Sequence, residues 1–218
     1  VIGGESCGSA SKNFLYLLDN VKANYYFFCD QDDIWLPNKI KVELLELKEM
    51  EKELKNKPCL VYTDLIIVDK ALRTIDGSYY HFTSRDPLKC TLRDVLRQNV
   101  AVGCTIAFNE SLAKKARQIN NTNNICMHDK WLLLISLIVG SNKFIEERLV
   151  LYRQHDNNTI GAKSDAFVWL KRIVKNVVLG VQLNNSKRGV LENRMLASEL
   201  LKFTNDDDND HIFLESLS

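Results

Sequence analysis

The sequence predicts an α/β fold with a mixed sheet, flanking helices and a C-terminal helical extension, and three observations predict it. Short apolar runs alternate with helical patterns from Ser9 to Tyr152. Tyr25-Tyr26-Phe27-Phe28-Cys29 is apolar on both faces, as a buried central strand is. That run stops at Asp30-Gln31-Asp32-Asp33, which places acids where open α/β sheets collect ligands, at the carboxyl end of a strand.

Ser9 to Asn20 reads as a helix entered from a Gly and Ser cluster, with Phe14, Leu15, Leu17 and Leu18 as its apolar positions. After the acidic loop, Pro37 opens a second helix, with Ile40, Leu44, Leu47 and Leu54 on one face and Lys and Glu on the other. Cys59 to Tyr62 and Leu65 to Val68 read as strands, with Asp69-Lys70-Ala71-Leu72 as the turn that follows. Thr91 to Gln98 is a short helix in which Thr91 and Asp94 suit reciprocal capping. Gly103 to Phe108 reads as a strand, Asn109 as the cap of a helix from Glu110 to Ile119, and Met127 to Val139 as an apolar helix that Gly140 ends. Phe144-Ile145 and Leu149 to Tyr152 are strands around a charged turn. Residues 163–204 read as a basic helical extension, with eight Lys and Arg against three Asp and Glu. Residues 205–218 carry five acids and no Lys or Arg, which reads as a mobile acidic end.

The 218 residues, 45% hydrophobic and 26% charged, suffice for one good core but leave little room for a second full domain. With 29 basic residues against 28 acidic, no global field gathers nucleic acid, so any basic surface is local. The six cysteines form no C-x-x-C pair, which argues against a zinc ribbon and for reduced thiols in a cytoplasmic protein. No run of 18 apolar residues and no leader pattern occurs. Val1-Ile2-Gly3-Gly4 lacks an initiating Met and reads as part of a loop, so the expectation is a piece of a longer domain. Gly3-Gly4 to Gly8 is no phosphate loop of the Walker type, because Ser9 stands where Lys is needed.

Three constellations carry candidate chemistry. Carboxylates about 5 Å apart repel by roughly 3 kcal/mol at an effective dielectric near 20, so gathering Asp30, Asp32 and Asp33 calls for a cation or strong donors. Asp30 and Asp32, one residue apart in a turn, suit a hard ion such as Mg²⁺ or Mn²⁺, with Asp33 capping the next helix. The same spacing also fits three plain turn and capping residues. His128-Asp129 opens the apolar helix, where an acid serves either as a cap or, facing a pocket, as an ionised base. Tyr152-Arg153-Gln154-His155 follows a strand, where Arg153 suits a diphosphate and His155 a metal, or the segment is a solvated loop. Trp35 and Trp131 are either sugar platforms or core residues.

In this order these segments resemble family 2 glycosyltransferases of the GT-A fold, in particular the rhamnosyltransferase-like branch of bacterial surface polysaccharide synthesis. The resemblance runs from Gly3 to Gly161. It rests on Phe27 to Trp35 with Lys39, on Val61-Tyr62-Thr63-Asp64, on His128-Asp129-Lys130-Trp131, and on Leu149 to His155 with Asn157, Asn158 and Gly161. It implies a catalytic domain over residues 1–162 that lacks the N-terminal strands for the nucleobase and ribose. It implies that Asp30 and Asp32 are the family's paired aspartates, with Asp32 on the metal, and that Asp129 is the base of an inverting single displacement. It further implies that Gly8 allows close backbone packing, that Asn13 hydrogen-bonds near the donor, and that Trp35, Gly103, Cys104, His128 and Trp131 line the donor and acceptor pocket. The implied partners are a nucleotide-diphosphate sugar and a glycan or lipid-linked acceptor, without nucleic acid. The basic extension reads first as a solvated segment, with peripheral contact at the inner membrane face and a homodimer as the other options. The Q-x-x-R-W of processive members is absent, so single-sugar transfer is expected. The competing classes are a non-catalytic glycan-binding or assembly module, a metal phosphohydrolase built on His128-Asp129, and a nucleotidyltransferase.

Overall fold

The computed structural model describes residues 8–154 and 182–218, with side chains described from Gly189 onward in the second segment. Its centre is β3 (Cys59–Val68), buried along almost all of its length. The strand β6 (Ser141–Arg153) runs parallel to β3, and β5 (Ile106–Asn109) lies antiparallel on its other side. β1 (Tyr25–Phe27) pairs with β5, β2 (Ile34–Trp35) pairs with β6, and β4 (Thr74–Asp76) returns along the second half of β3. The order is β1-β5-β3-β6-β2. This register makes β1, β3 and β6 run in one direction, so their carboxyl ends share one edge of the sheet. The α/β class with a mixed sheet is as expected.

Several details differ from the sequence reading. Among the described residues β1 lies at one end of the sheet, not at its centre. It is apolar on both faces because both faces are covered: Tyr26 and Phe28 enter the main core, while Tyr25 and Phe27 pack on the cluster around Leu47 and Met50. The two runs either side of Thr63-Asp64 form one strand, as do those either side of Glu146-Glu147. Two extra residues of β6 bulge between the pairs Thr63 with Ile145 and Asp64 with Arg148, and the ladder resumes beyond them. Gly103-Cys104-Thr105 is a 3₁₀ turn before β5 rather than strand.

The helices are α1 (Ala10–Asn20), α2 (Lys39–Glu53), α3 (Tyr79–Thr83), α4 (Leu92–Arg97), α5 (Glu110–Ala116), α6 (His128–Val139), α7 (Gln182–Leu200) and α8 (Asn209–Leu217). Thr91 and Asp94 cap α4 reciprocally, as their spacing predicts. Asn109 caps α5 by accepting from Leu112 N at 3.0 Å, and the same oxygen accepts from Cys59 N at 3.0 Å, which ties the start of β3 to the end of β5. The run Leu132 to Ile135 of α6 is fully buried, so this helix is core on nearly every side.

α2 presents an unexpected face. Its buried positions are Lys39, Glu43, Leu47 and Met50, whereas Ile40 is 49% exposed. The Lys39 ammonium sits 2.6 and 2.7 Å from the two Glu43 oxygens, beneath the rings of Trp35 and Phe27. An ion pair so well closed is tolerated inside because each charge has its partner and the cation has aromatic faces. The acidic end is ordered as well. It forms α8, with Leu214 fully buried and Phe213 under the Arg93 guanidinium at 4.1 Å, so its few apolar residues outweigh its charge. Residues 163–181 of the proposed basic extension lie outside the described residues.

Gly140 ends α6 because of space, not backbone angle: a Cβ there would stand 2.0 Å from the Pro58 carbonyl oxygen. Gly140→Ala should therefore force β3 and β6 apart at their start and cost about 3 kcal/mol, read as a lower urea midpoint. An unchanged midpoint would show that this junction yields freely.

Candidate active site

Where β1 ends, the chain turns through Asp30 to Asp33 and re-enters the sheet as β2. Asp33 does not cap α2. Asn38 holds that position, because β2 intervenes and carries the helix start away. Instead one Asp33 oxygen accepts the backbone N–H of Arg153 at 3.1 Å, and the other is buried beside the weakly donating Cys104 thiol, with no full donor among the described residues. Ligand atoms of Asp30, Asp33 and Cys104 lie within 4.8 Å of one another. Burial pushes Asp33 up to about 6 and also raises Asp30, on which the neighbouring Asp32 charge adds to the rise. Burial lifts the Cys104 thiol well above its usual range, so it stays protonated.

The pair that the spacing favoured was Asp30 with Asp32. The structure groups Asp30 with Asp33, and it half-buries Asp32 beside them. Cys104 arrives from the 3₁₀ turn before β5, an element that enters the same edge of the sheet.

α6 brings the second constellation. Its N-cap, Met127, has no capping side chain. Ser11 of α1 substitutes: its hydroxyl accepts from His128 N at 3.0 Å and donates to Cys126 O at 2.9 Å. The His128 ring stacks on Phe14 at 4.3 Å and meets Phe28 edge-on at 5.1 Å. Burial pushes it down to about 4, so it is neutral at ordinary pH, and its buried Nε2 has no partner among the described residues. A Cβ on Gly103 would stand 3.0 Å from that nitrogen and 3.7 Å from Asp129 Oδ2, so glycine is what lets α6 approach this turn.

Asp129 is buried, with Oδ1 accepting from Lys130 N at 2.6 Å and the Gly103 N–H donating as well. Burial pushes its carboxyl up to about 6, against those donors, and the Asp30 charge raises it further. The Asp30 charge thus reaches Asp129, although 99 residues separate them in the chain. Tyr79, whose backbone N–H donates to Asp64 at 3.0 Å, is near enough to Asp129 and Cys104 to feel both, and its hydroxyl accepts from Arg85 at 2.9 Å.

The remaining predicted residues divide. Trp131 is no sugar platform: it is fully buried, its ring N–H donates to Ala116 O at 3.2 Å, and Phe203 lies against it, so the core reading holds. Trp35 is partly exposed, with one side over the Lys39 ammonium at 4.9 Å. Gly8 makes no close packing among the described residues. Nothing lies within 4 Å of a Cβ there, and its φ of +79° is what calls for glycine. Asn13 is on the exposed side of α1. The Arg153 side chain donates to the carbonyls of Asp32 and Lys70. His155, Asn157, Asn158 and Gly161 lie outside the described residues. Sequence reasoning missed Ser11, Tyr79 and the inward turn of Asp33. None of the three has a local signature, since each acts across the fold.

No protein-family model matches the chain. It is similar to two curated glycosyltransferases. One is a dTDP-rhamnosyl transferase of Shigella flexneri, 27% identical over 210 residues that make up 91% of this chain and 62% of that protein. The other is an uncharacterized glycosyltransferase of Rickettsia typhi, 28% identical over 158 residues, 70% of this chain and 46% of that protein. The chain thus spans less than two thirds of the length of either relative. Sugar transfer is the activity class that the two names support, and no helix among the described residues is long and apolar enough to cross a membrane.

Raised carboxyls have a consequence for stability. The fold binds the protons of Asp33 and Asp129 more tightly than the unfolded chain does. Their contribution is therefore fully present below the unfolded pKa near 3.8 and is lost as pH rises to about 6. Asp33→Asn should narrow the drop in Tm between about pH 5 and about pH 7.5 by about 2 °C, with Oδ1 still accepting from Arg153. A drop as large as in the parent protein would mean that Asp33 is not the strained group.

Proposed function

We propose that the protein is a glycosyltransferase that moves one sugar from a nucleotide-diphosphate donor to a hydroxyl of a glycan acceptor, with inversion. The observation that carries the reading is the meeting of a buried, isolated carboxylate, Asp129, with the acidic loop of Asp30 and Asp33 at the carboxyl edge of the sheet, in a chain similar to named glycosyltransferases.

Asp129 is suited to the proton transfer. A carboxyl lifted to about 6 is ionised at neutral pH yet more basic than an ordinary aspartate, which favours taking a proton from a hydroxyl as its oxygen attacks. The Gly103 and Lys130 N–H groups orient the carboxylate, and neutral His128 adds no competing charge. The acceptor oxygen forms its bond to the anomeric carbon while the bond to the nucleoside diphosphate breaks. The proton remains on Asp129.

The acidic loop fits a divalent cation. Asp30 and Asp33 converge, and the buried oxygen of Asp33 has no full hydrogen-bond donor. Hard ions such as Mg²⁺ or Mn²⁺ prefer these oxygens to the protonated Cys104 thiol. Asp30 and Asp33 would hold it, with Asp32 beside them. Such an ion supplies charge to neutralise the leaving diphosphate. For the donor we take a dTDP-sugar, rhamnose first, from the name of the Shigella relative, and for the pathway the assembly of a surface polysaccharide.

Calorimetric titration with Mn²⁺ and dTDP-rhamnose, UDP-glucose and GDP-mannose tests this. Metal-dependent binding of one donor is expected, reduced in Asp30→Asn and in Asp33→Asn. Asp129→Asn should keep that binding and lose transfer by roughly 10²–10⁴-fold, together with the fall in rate that the parent shows as pH drops through about 6. Transfer at the parent rate by Asp129→Asn would remove the base assignment. No donor binding, with or without metal, would favour a module that keeps the fold without turnover.

A further inference from the structure

The end of β6 lies between the acidic loop and the turn that follows β3. Val150 and Leu151 pair with β2, directly after the acidic loop, while Tyr152 and Arg153 pair with Ile67 and Val68, directly before the turn. Arg153 joins the two segments. Its backbone N–H donates to Asp33 Oδ1 at 3.1 Å, its Nε donates to Asp32 O at 3.0 Å, and its Nη1 donates to Lys70 O at 3.1 Å. The next residue continues the seam, with Gln154 N donating to Val68 O at 2.8 Å. The turn itself is built to present its carbonyls, since Asp69 Oδ1 collects the N–H groups of Ala71 and Arg73 at 2.8 and 2.9 Å.

We propose that Arg153 is a positioning residue that clamps the acidic loop to the β3–β4 turn through backbone carbonyls, and so sets the spacing of Asp30 and Asp33. The chemistry follows from the guanidinium. Its donors diverge in a rigid plane, so one side chain reaches two carbonyls on two segments at once, which a lysine ammonium on its flexible stem does poorly. The loop's internal backbone contact, Asp33 N to Asp30 O, is long at 3.4 Å, and the like charges of Asp30 and Asp32 bear on Asp33. The role differs from direct pairing with a donor diphosphate, for which a point charge also serves.

The consequence for ion binding rests on the cation reading above, so the test has an arm that does not need it. Amide hydrogen exchange of the parent, Arg153→Lys and Arg153→Gln, without metal or nucleotide, reads the clamp directly. Exchange at residues 31–36 and 69–73 should quicken by about tenfold or more in both variants, with α5 and α6 unchanged. Electron paramagnetic resonance of Mn²⁺ without nucleotide should then show affinity lower by about tenfold in both. Unchanged exchange in the loop and turn overturns the clamp, as does a normal loop in Arg153→Lys with loss only in Arg153→Gln, which would point to charge alone. Quickened exchange in a protein that binds no Mn²⁺ leaves the clamp standing and removes the cation reading. Normal exchange and Mn²⁺ affinity with weakened nucleotide binding would assign Arg153 to the diphosphate instead.

Discussion

The close approach of the first turn of α6 to Gly103 is the contact on which the site depends. A side chain on residue 103 would collide with the His128 ring, and α6 would have to draw back. With glycine there, the turn before β5 delivers two things to one place: an N–H to the Asp129 carboxylate and, one residue on, the Cys104 thiol to Asp33 and Asp30. The helix cannot tilt to avoid this, because Ser11 caps it from α1, Phe14 and Phe28 hold the His128 ring, and fully buried leucines fix its other sides. The approach is therefore a property of the whole core.

That packing sets the electrostatics. Asp33 and Asp129 are both held near 6 mainly by loss of water; the Arg153 N–H and the Cys104 thiol limit the shift at Asp33, and the Lys130 and Gly103 N–H groups limit it at Asp129. The two groups do different work with the same perturbation. Asp129 takes N–H donors from Lys130 and Gly103 and feels the charge of Asp30, which suits it to the proposed role of a base. Asp33 stands in a cluster and has an oxygen with no full donor, as a ligand to a cation should. The buried Lys39–Glu43 pair lies behind this cluster, where the ammonium partly offsets the carboxylates through the effect felt at Cys104 and Cys29. A buried polar atom without a full donor among the described residues, an internal ion pair and raised carboxyls collect at one edge of the sheet, a pattern that fits the proposed site.

Much of the fold was legible because its signals are local. The apolar run before the acids, the reciprocal cap of Thr91 and Asp94 and the cap at Asn109 each depend on neighbours in the chain, and each appears in the structure; the Gly140 stop also appears, though its cause is the distant Pro58 carbonyl. The errors have a common source. Ile40 belonged to the apolar stripe of α2 by period, yet Lys39 and Glu43 took the buried face because an aromatic roof and mutual contact made burial of charge tolerable. The acidic end looked unable to fold on composition, yet Phe213, Leu214 and Leu217 were enough once the main core offered a surface. Trp131 follows Asp129 by two residues, and at about 100° per residue a helix turns them about 200° apart, which sends one toward Gly103 and the other to the core.

By itself the sequence determined the α/β class, the strand that ends in acids, the helix that begins with His128-Asp129, and the resemblance that joined them. Those are consequences of period, capping and turn chemistry over a few residues. Tertiary structure alone decided that Asp33 rather than Asp32 joins Asp30, that Ser11 caps a helix 117 residues away, and that Arg153 bonds to two segments of the sheet edge. The physical reason is that side-chain direction in a loop is set by whatever donors and walls the rest of the chain brings to it. Neither spacing nor composition carries that information.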